Sequence, residues 1–469
     1  MEDMKKFIAT VFACLLFLAN TTFAENIKFT LHKLDSGRKG NTLLVIGGIQ
    51  GDEPGGFNAA SLLVTHYKIL KGNVWVVPNL NFISIIKRSR GVHGDLNRKF
   101  AAIRRTDPEF STIEKVKALI LDEQVDMVLN LHDGSGFYRP SYIDRTHNPY
   151  RWGQSIIIDQ ERIEVEAFGD LGSVARNVVA DINRYLFSKE DAYHVKNTRT
   201  RFGNVEMSKT LTYYAIRNLK PAFGLEVSKS FTTYERAYYH LRALEAYMDL
   251  LGIKYEKSFQ LSANSVKSAI ENNVRLAFYG NKIFLDVKNA RKRLGYIPLK
   301  KASEIVFKPS NPLIAVVEHG RSYRVYHGNR SITRLYPQYF DYDFSIDGIS
   351  MNVDGNKKYV GFGKMVGVGK SFLVVPRDGY RVNVIGFRKP GMNSECGIPI
   401  EQNHIAQRFS LDKTGQIYRV EVYRGEKFVG MVLVNFSGDH ESLIASNPSK
   451  PSNATLSNRK DSSLIPTGR

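Results

Sequence analysis

Cysteine is nearly absent from this chain: among 469 residues only Cys14 and Cys396 carry a thiol. Once a leader containing Cys14 is removed, Cys396 stands alone, so no intrachain disulfide can form and stability must come from apolar cores. Acidic residues are outnumbered, 46 against 66 Lys and Arg, for a formal net charge of +20. Beyond the first two dozen residues no apolar run is long enough to cross a bilayer, so no transmembrane segment is expected in the mature chain. No internal repeat is present, which excludes a repeat architecture.

What the chain does have begins with its first residues. Lys5 and Lys6, the apolar stretch from Phe7 to Ala19 and the small-residue site Thr22-Phe23-Ala24 read as a signal peptide over 1–24. The mature chain is expected to begin near Glu25 and to be exported, with an uncleaved anchor as the alternative. Cys14 lacks the small residue that follows a lipid-modified cysteine. The leader holds Glu2, Asp3, Lys5 and Lys6 and sums to zero, so the basic charge survives cleavage. A basic exported protein suits a polyanionic partner such as a cell wall, with charge placed for solubility as the bland alternative. Export and the lack of any nucleic-acid motif argue against nucleic acid.

From 25 to 252 strand-like runs alternate with amphipathic helical stretches, which predicts an α/β domain. Strands are expected at 42–49, 74–78, 125–131, 155–158 and 222–227, and helices at 55–70, 109–122, 163–185 and 232–251. Two small all-β domains follow, over 253–346 and a sandwich over 347–439, with a break expected at 347–357. The Ser, Asn, Pro and Lys rich tail, 440–469, has a disordered composition.

The chemistry-bearing residues fall at strand ends. Gln50-Gly51-Asp52-Glu53 closes the apolar stretch from Asn41 to Ile49, and His132 closes the stretch from Val125 to Leu131. In open α/β sheets such ends form the ligand-binding rim. Oxygen and nitrogen donors from two strand ends suit one metal ion, and catalytic zinc takes three protein ligands and keeps a fourth position open. Glu226 lies within the apolar run Ala222-Phe223-Gly224-Leu225-Glu226, where a carboxylate needs a partner or a task. A buried ion pair with Lys229 is the alternative reading. For His132, either Asn130 or Asp133 is a candidate to orient the ring. His32, His93, His147 and His194 are weaker ligand candidates.

The order of these fragments, with Asp95-Leu96-Asn97-Arg98-Lys99-Phe100 between them, resembles the zinc carboxypeptidases, whose pattern is His-x-x-Glu, Asp-Leu-Asn-Arg-Asn-Phe, a distant His and a catalytic Glu. Gln50 stands where that family has its first His. The periplasmic peptidoglycan DL-carboxypeptidases that set helical cell shape in Helicobacter-like and Campylobacter-like bacteria share this Gln. The resemblance implies a carboxypeptidase-like mixed sheet flanked by helices, a periplasmic location and one Zn²⁺ per chain on Gln50, Glu53 and His132. It implies Glu226 as the general base, Asn97 and Arg98 as the clamp for the substrate's terminal carboxylate, and Thr212 as a lining residue for the released side chain. Arg88 and Arg90 are both candidates to polarise the scissile carbonyl, and spacing favours Arg90. Trp152 and Arg199-Thr200-Arg201 are possible cleft borders. The implied reaction trims a peptidoglycan muropeptide tripeptide to the dipeptide by releasing meso-diaminopimelate, with protein partners open to the β domains. The alternatives are an amide hydrolase of the desuccinylase or aspartoacylase type and an inactive wall-binding scaffold.

Overall fold

A computed structural model describes residues 28–437 apart from 302 and 304. The expected signal peptide and the tail from 440 lie outside the described residues. Seven strands form the central sheet: β1 (His32–Asp35), β2 (Thr42–Ile46), β3 (Asn73–Val77), β4 (Met127–Gly134), β5 (Ser155–Ile158), β6 (His194–Asn197) and β7 (Ala222–Ser228). Their spatial order is β1-β3-β2-β4-β7-β5-β6. The middle four run parallel, while β1 at one edge and the β5–β6 pair at the other run against them. β2 and β4 are buried along their whole length, as strands covered on both faces must be, which is why they read as continuous apolar runs.

Helices α1 (Pro54–His66), α2 (Phe110–Leu121), α3 (Leu171–Ile182), α4 (Leu211–Arg217) and α5 (Thr233–Leu250) flank the sheet. α5 starts at a capping box in which Thr232 and Glu235 satisfy each other's backbone N–H groups. α1 is shorter than expected. It stops at His66 because Tyr67–Lys71 switches to strand periodicity, burying Tyr67 and Ile69 while pairing with Lys254–Lys257. α3 begins only at Leu171, where the Asp170 side chain accepts from the Ser173 N–H, and not at 163. The core of this part also runs past residue 252: helix α6 (Ala263–Asn272) buries Val266 and Ile270 in it.

The remainder is β-rich. Its first part contains a three-stranded and a four-stranded sheet, and its second is a sandwich of two four-stranded sheets around Met351, Phe372, Val420 and Val432. The expected break at 347–357 is instead a hairpin. Gly348–Val353 pairs with Asn356–Gly361 through Asp354 and Gly355, both at positive φ, the conformation that tight hairpin turns require. The two parts are not independent, since Tyr423, Phe428 and Met431 from the sandwich strands pack with Phe278, Leu285 and Leu299. The first part also docks on the α/β part, where Leu313 and Ala315 meet Phe57, Phe82 and Ile85. Among the described residues no helix is long and apolar enough to cross a membrane.

Candidate active site

β4 and β7 are adjacent and parallel, and their register sets His132 directly beside Glu226. Both side chains therefore face the same side of the sheet. The strand extends to Gly134, so His132 is held within the ladder and not in a turn after it. The segment after β2 brings in Gln50 and Glu53. Gly51 lets that segment lie against the short helix Phe82–Lys87, because a Cβ there would come within 2.0 Å of the Ser84 carbonyl carbon. The Gly51 N–H also donates to the Ser89 carbonyl at 3.0 Å.

These elements enclose a cleft of about 320 Å³ that is lined by Gln50, Glu53, Arg90, Asn97, Arg98, His132, Thr212 and Glu226. All eight residues singled out by the sequence thus converge. Arg88 is not among the lining residues, since its Nε donates to the Asn329 carbonyl of the β-rich part. Trp152 lines the cleft, whereas Arg199 and Arg201 do not. The four weaker histidine candidates are absent from the lining as well.

Glu53 is the hub. Its Oε2 accepts from His132 Nδ1 at 2.9 Å and from the Asp133 N–H at 3.2 Å. Arg90 and Lys229 each approach its Oε1 at 3.6 Å. Lys229 therefore pairs with Glu53 and Asp52, and not with Glu226 as the ion-pair alternative would have it. Burial, together with the charges of Glu53 and Asp133, overrides the attraction of His132 and pushes Glu226 up to about 7.

Asp95 organises the opposite wall, a role its motif did not reveal. Both of its carboxylate oxygens accept from the Gln50 amide nitrogen, Oδ1 at 2.8 Å and Oδ2 at 2.9 Å, while Oδ2 also accepts from Arg90 Nε and Oδ1 from the Asn97 N–H, each at 2.9 Å. Although burial opposes it, hydrogen bonding from Gln50 and the Arg90 charge hold this carboxyl below the usual carboxylate range. Neither Asn130 nor Asp133 orients the His132 ring. Its Nε2 faces the Asn97 amide nitrogen at 3.3 Å, and the Asn97 oxygen is committed to the Leu211 N–H. Asp133 instead accepts from Arg236, His240 and the Gly55 N–H, fixing α1 and α5 to the end of β4.

The donor set fits a divalent metal. Asp95 ties down the Gln50 amide nitrogen, which leaves the amide oxygen as the group's remaining donor beside a carboxylate and an imidazole nitrogen. Among the described residues there is no cluster of three His, Cys, Asp or Glu side chains suited to a metal. Here the third donor is an amide oxygen, a hard and weaker ligand than imidazole nitrogen.

Residues 4–271 match the family of catalytic carboxypeptidases controlling helical cell shape, peptidase M99, and residues 342–437 match the C-terminal domain of metallo-carboxypeptidase. No curated protein sequence matches the chain. Among solved structures, the apo cell shape determinant protein Csd4 from Helicobacter pylori is 38% identical, with a TM-score of 0.80, over 87% of this chain and 100% of that one. Its tripeptide-bound form is 39% identical, with a TM-score of 0.79 and the same coverage. The mDAP-bound form of the same protein, described as a D,L-carboxypeptidase, is 39% identical over 86% of this chain and 99% of that one, with a TM-score of 0.80.

Proposed function

The chain belongs to peptidase family M99, the metallo-carboxypeptidases that control helical cell shape, and from that premise we propose that it is an exported, periplasmic enzyme that releases meso-diaminopimelate from the muropeptide tripeptide. The observation that carries this reading is the meeting of three metal-type donors, a general base and two guanidinium groups in one cleft. The scissile bond joins the γ-carboxyl of D-Glu to the amine on the L-centre of diaminopimelate.

One Zn²⁺ per chain would be held by Gln50, Glu53 and His132, and when bound it supplies a Lewis acid for the carbonyl and the attacking water. Arg98 and Asn97 take the terminal carboxylate. Arg98 Nη1 already donates to the Asn97 carbonyl, and its Nε lies 3.4 Å from the exposed Glu206. A surface pair of that kind is worth little, so the guanidinium can exchange Glu206 for a substrate carboxylate. Asp95 fixes Arg90 through Nε, and Nη1 lies 3.6 Å from Glu53 Oε1, so Nη2 is the group offered to the oxygen on which negative charge develops. Glu226 takes a proton from the attacking water and returns it to the leaving amine, a step for which a value near 7 is well matched.

The test combines metal analysis of the purified protein with mass spectrometry of its products from tripeptide, tetrapeptide and pentapeptide muropeptides. The reading expects zinc at one per chain, its loss in His132→Ala, and a dipeptide product from the tripeptide. An unprocessed tripeptide with zinc bound would refute the substrate, and full zinc in His132→Ala would refute the ligand set.

A further inference from the structure

The chemistry of the cleft gives the β-rich part no task, and the charge of that part is uneven. Residues 273–340 hold 13 Lys or Arg against three acidic residues, a surplus of ten that is half of the chain's formal net charge of +20. Register concentrates some of it. In the four-stranded sheet, strand Arg330–Phe340 lies between Arg293–Lys300, parallel to it, and Ser322–His327, antiparallel to it. Arg334 is the direct partner of Arg293 on one side and of Arg324 on the other. Neighbouring strands lie about 4.8 Å apart, so the three arginines form a row about 10 Å long. The residues that follow them, Leu294, Val325 and Leu335, are buried in the core of this part. Strand alternation therefore sends all three guanidinium groups to the opposite face, where Arg293 is exposed and Arg324 and Arg334 are half-buried.

The protein does not neutralise this row. Arg324 Nη1 donates to the Tyr326 hydroxyl at 3.2 Å. Among the described residues none of the three arginines forms an ion pair with Asp or Glu. Like charges directly opposite each other destabilise a sheet, so the row costs stability unless an anion lies on it. A guanidinium is a planar fork that matches a carboxylate through two hydrogen bonds.

The row also begins next to the machinery of the cleft. Val317 pairs with Arg324 and is the row's fourth member. With Tyr326 it packs against the cluster that includes Phe82 and Ile85 of the short helix Phe82–Lys87. Arg88, just after that helix, donates to the Asn329 carbonyl, and Arg90, two residues on, lines the cleft. From there the arginines lead outward across the sheet.

We propose that the row Arg324, Arg334, Arg293 is a docking surface for carboxylates of the peptidoglycan polymer, holding neighbouring stem peptides of the insoluble wall while one stem enters the cleft. The identity of the polymer rests on the tripeptidase reading above. A D-Glu linked through its γ-carboxyl keeps its α-carboxylate free, so every stem along the strand carries anions that complement a row of fixed cations.

The experiment measures sedimentation of the full chain with purified insoluble sacculi over a series of salt concentrations. The chain carries Glu226→Gln so that the wall is not trimmed during the assay. One batch of sacculi is unmodified, and in a second the carboxyl groups are converted to amides. Adding Arg293→Gln, Arg324→Gln and Arg334→Gln together should weaken binding to unmodified sacculi at least about fivefold and flatten its salt dependence. Amidated sacculi should bind the chain with and without these three changes equally weakly. With Glu226 restored, the triple variant should keep kcat/KM on the soluble tripeptide within about twofold, since none of the three residues lines the cleft. Arg334→Glu guards against misfolding: a carboxylate between two guanidinium groups should leave Tm unchanged or raised while sacculus binding falls at least about fivefold. A smaller loss of binding in either variant, a lowered Tm in Arg334→Glu, undiminished binding to amidated sacculi, or tighter binding of duplex DNA than of sacculi would overturn the proposal. If the intact enzyme fails to cleave the soluble tripeptide, the tripeptidase reading falls, and the sacculus comparison still decides the role of the row.

Discussion

Replacing Asp95 by Asn changes one oxygen to an amino group and almost no volume, yet the structure places three donor groups around that carboxylate, making four hydrogen bonds. An asparagine there must turn its amino group toward one of them. If it faces the Gln50 amide, that amide is driven to present its nitrogen where the metal needs its oxygen. At the Oδ1 position that amino group also leaves the Asn97 N–H without its acceptor, and at the Oδ2 position it leaves Arg90 Nε without its own. Loss of a residue that orients a metal ligand typically weakens metal affinity about 10- to 100-fold, equivalent to roughly 1.4–2.7 kcal/mol. Zinc affinity by chelator competition should fall within that range for Asp95→Asn, with kcat/KM at limiting zinc falling in parallel. The fall should shrink when Gln50 is already Ala, since residues acting through one contact do not add. Metal affinity unchanged in Asp95→Asn, or a loss of equal size in the Gln50→Ala background, would show that Asp95 does not act through the glutamine.

Three further outcomes are expected. Glu226→Gln should keep zinc and substrate binding while kcat falls about 10²–10⁴-fold, and near-normal turnover by mass-verified protein would rule out the base assignment. Amidating the L-centre carboxylate of the substrate, or changing Arg98 to Ala, removes charge-assisted contacts worth roughly 1.5–3 kcal/mol each. Either change should therefore cut cleavage at least tenfold, with losses that overlap when combined, and strict additivity would detach Arg98 from that carboxylate. His327 is buried in the β-rich part, with Nε2 lacking a hydrogen-bond partner, and burial and then Arg330 push it down to about 3. The unfolded chain binds this proton first, near pH 6.5, so the folded state is favoured fully above that and loses ground as pH falls from about 6.5 toward 3. Denaturant melts should show a shallower loss across that window in His327→Gln, and an unchanged pH slope would assign the acid sensitivity to other groups.

The rim of the sheet was legible because buried parallel strands advertise themselves as apolar runs, and a polar residue closing such a run has few places to go. β4 and β7 were found this way, and with them His132 and Glu226. β6 escaped because His194-Val195-Lys196-Asn197 is a half-buried edge strand with neither an apolar run nor clean alternation. Residues acting across long sequence separations were equally hidden: Asp133 meets Arg236 and His240 more than 100 positions away, and nothing local marks that pairing. The same holds for Asp95, although it stands inside the recognised motif.

The exchange of His for Gln at position 50 shows why that omission matters. A neutral imidazole carries its lone pair on one ring nitrogen and can shift the proton from the other, so a turned ring can still present a donor atom to a metal. A primary amide has a donor oxygen on one side and two N–H groups on the other, and a half-turn converts a ligand into a repulsive group. Glutamine can therefore serve reliably only if something tells its two ends apart. An ionised carboxylate does so, because it accepts and never donates, and Asp95 presents both of its oxygens to the Gln50 nitrogen. The Arg90 guanidinium and the Asn97 N–H stabilise the ionised form against the burial that would otherwise favour its protonation. The altered ligand and this carboxylate are thus one device, in which an ambiguous donor is made directional by a neighbour 45 residues along the chain.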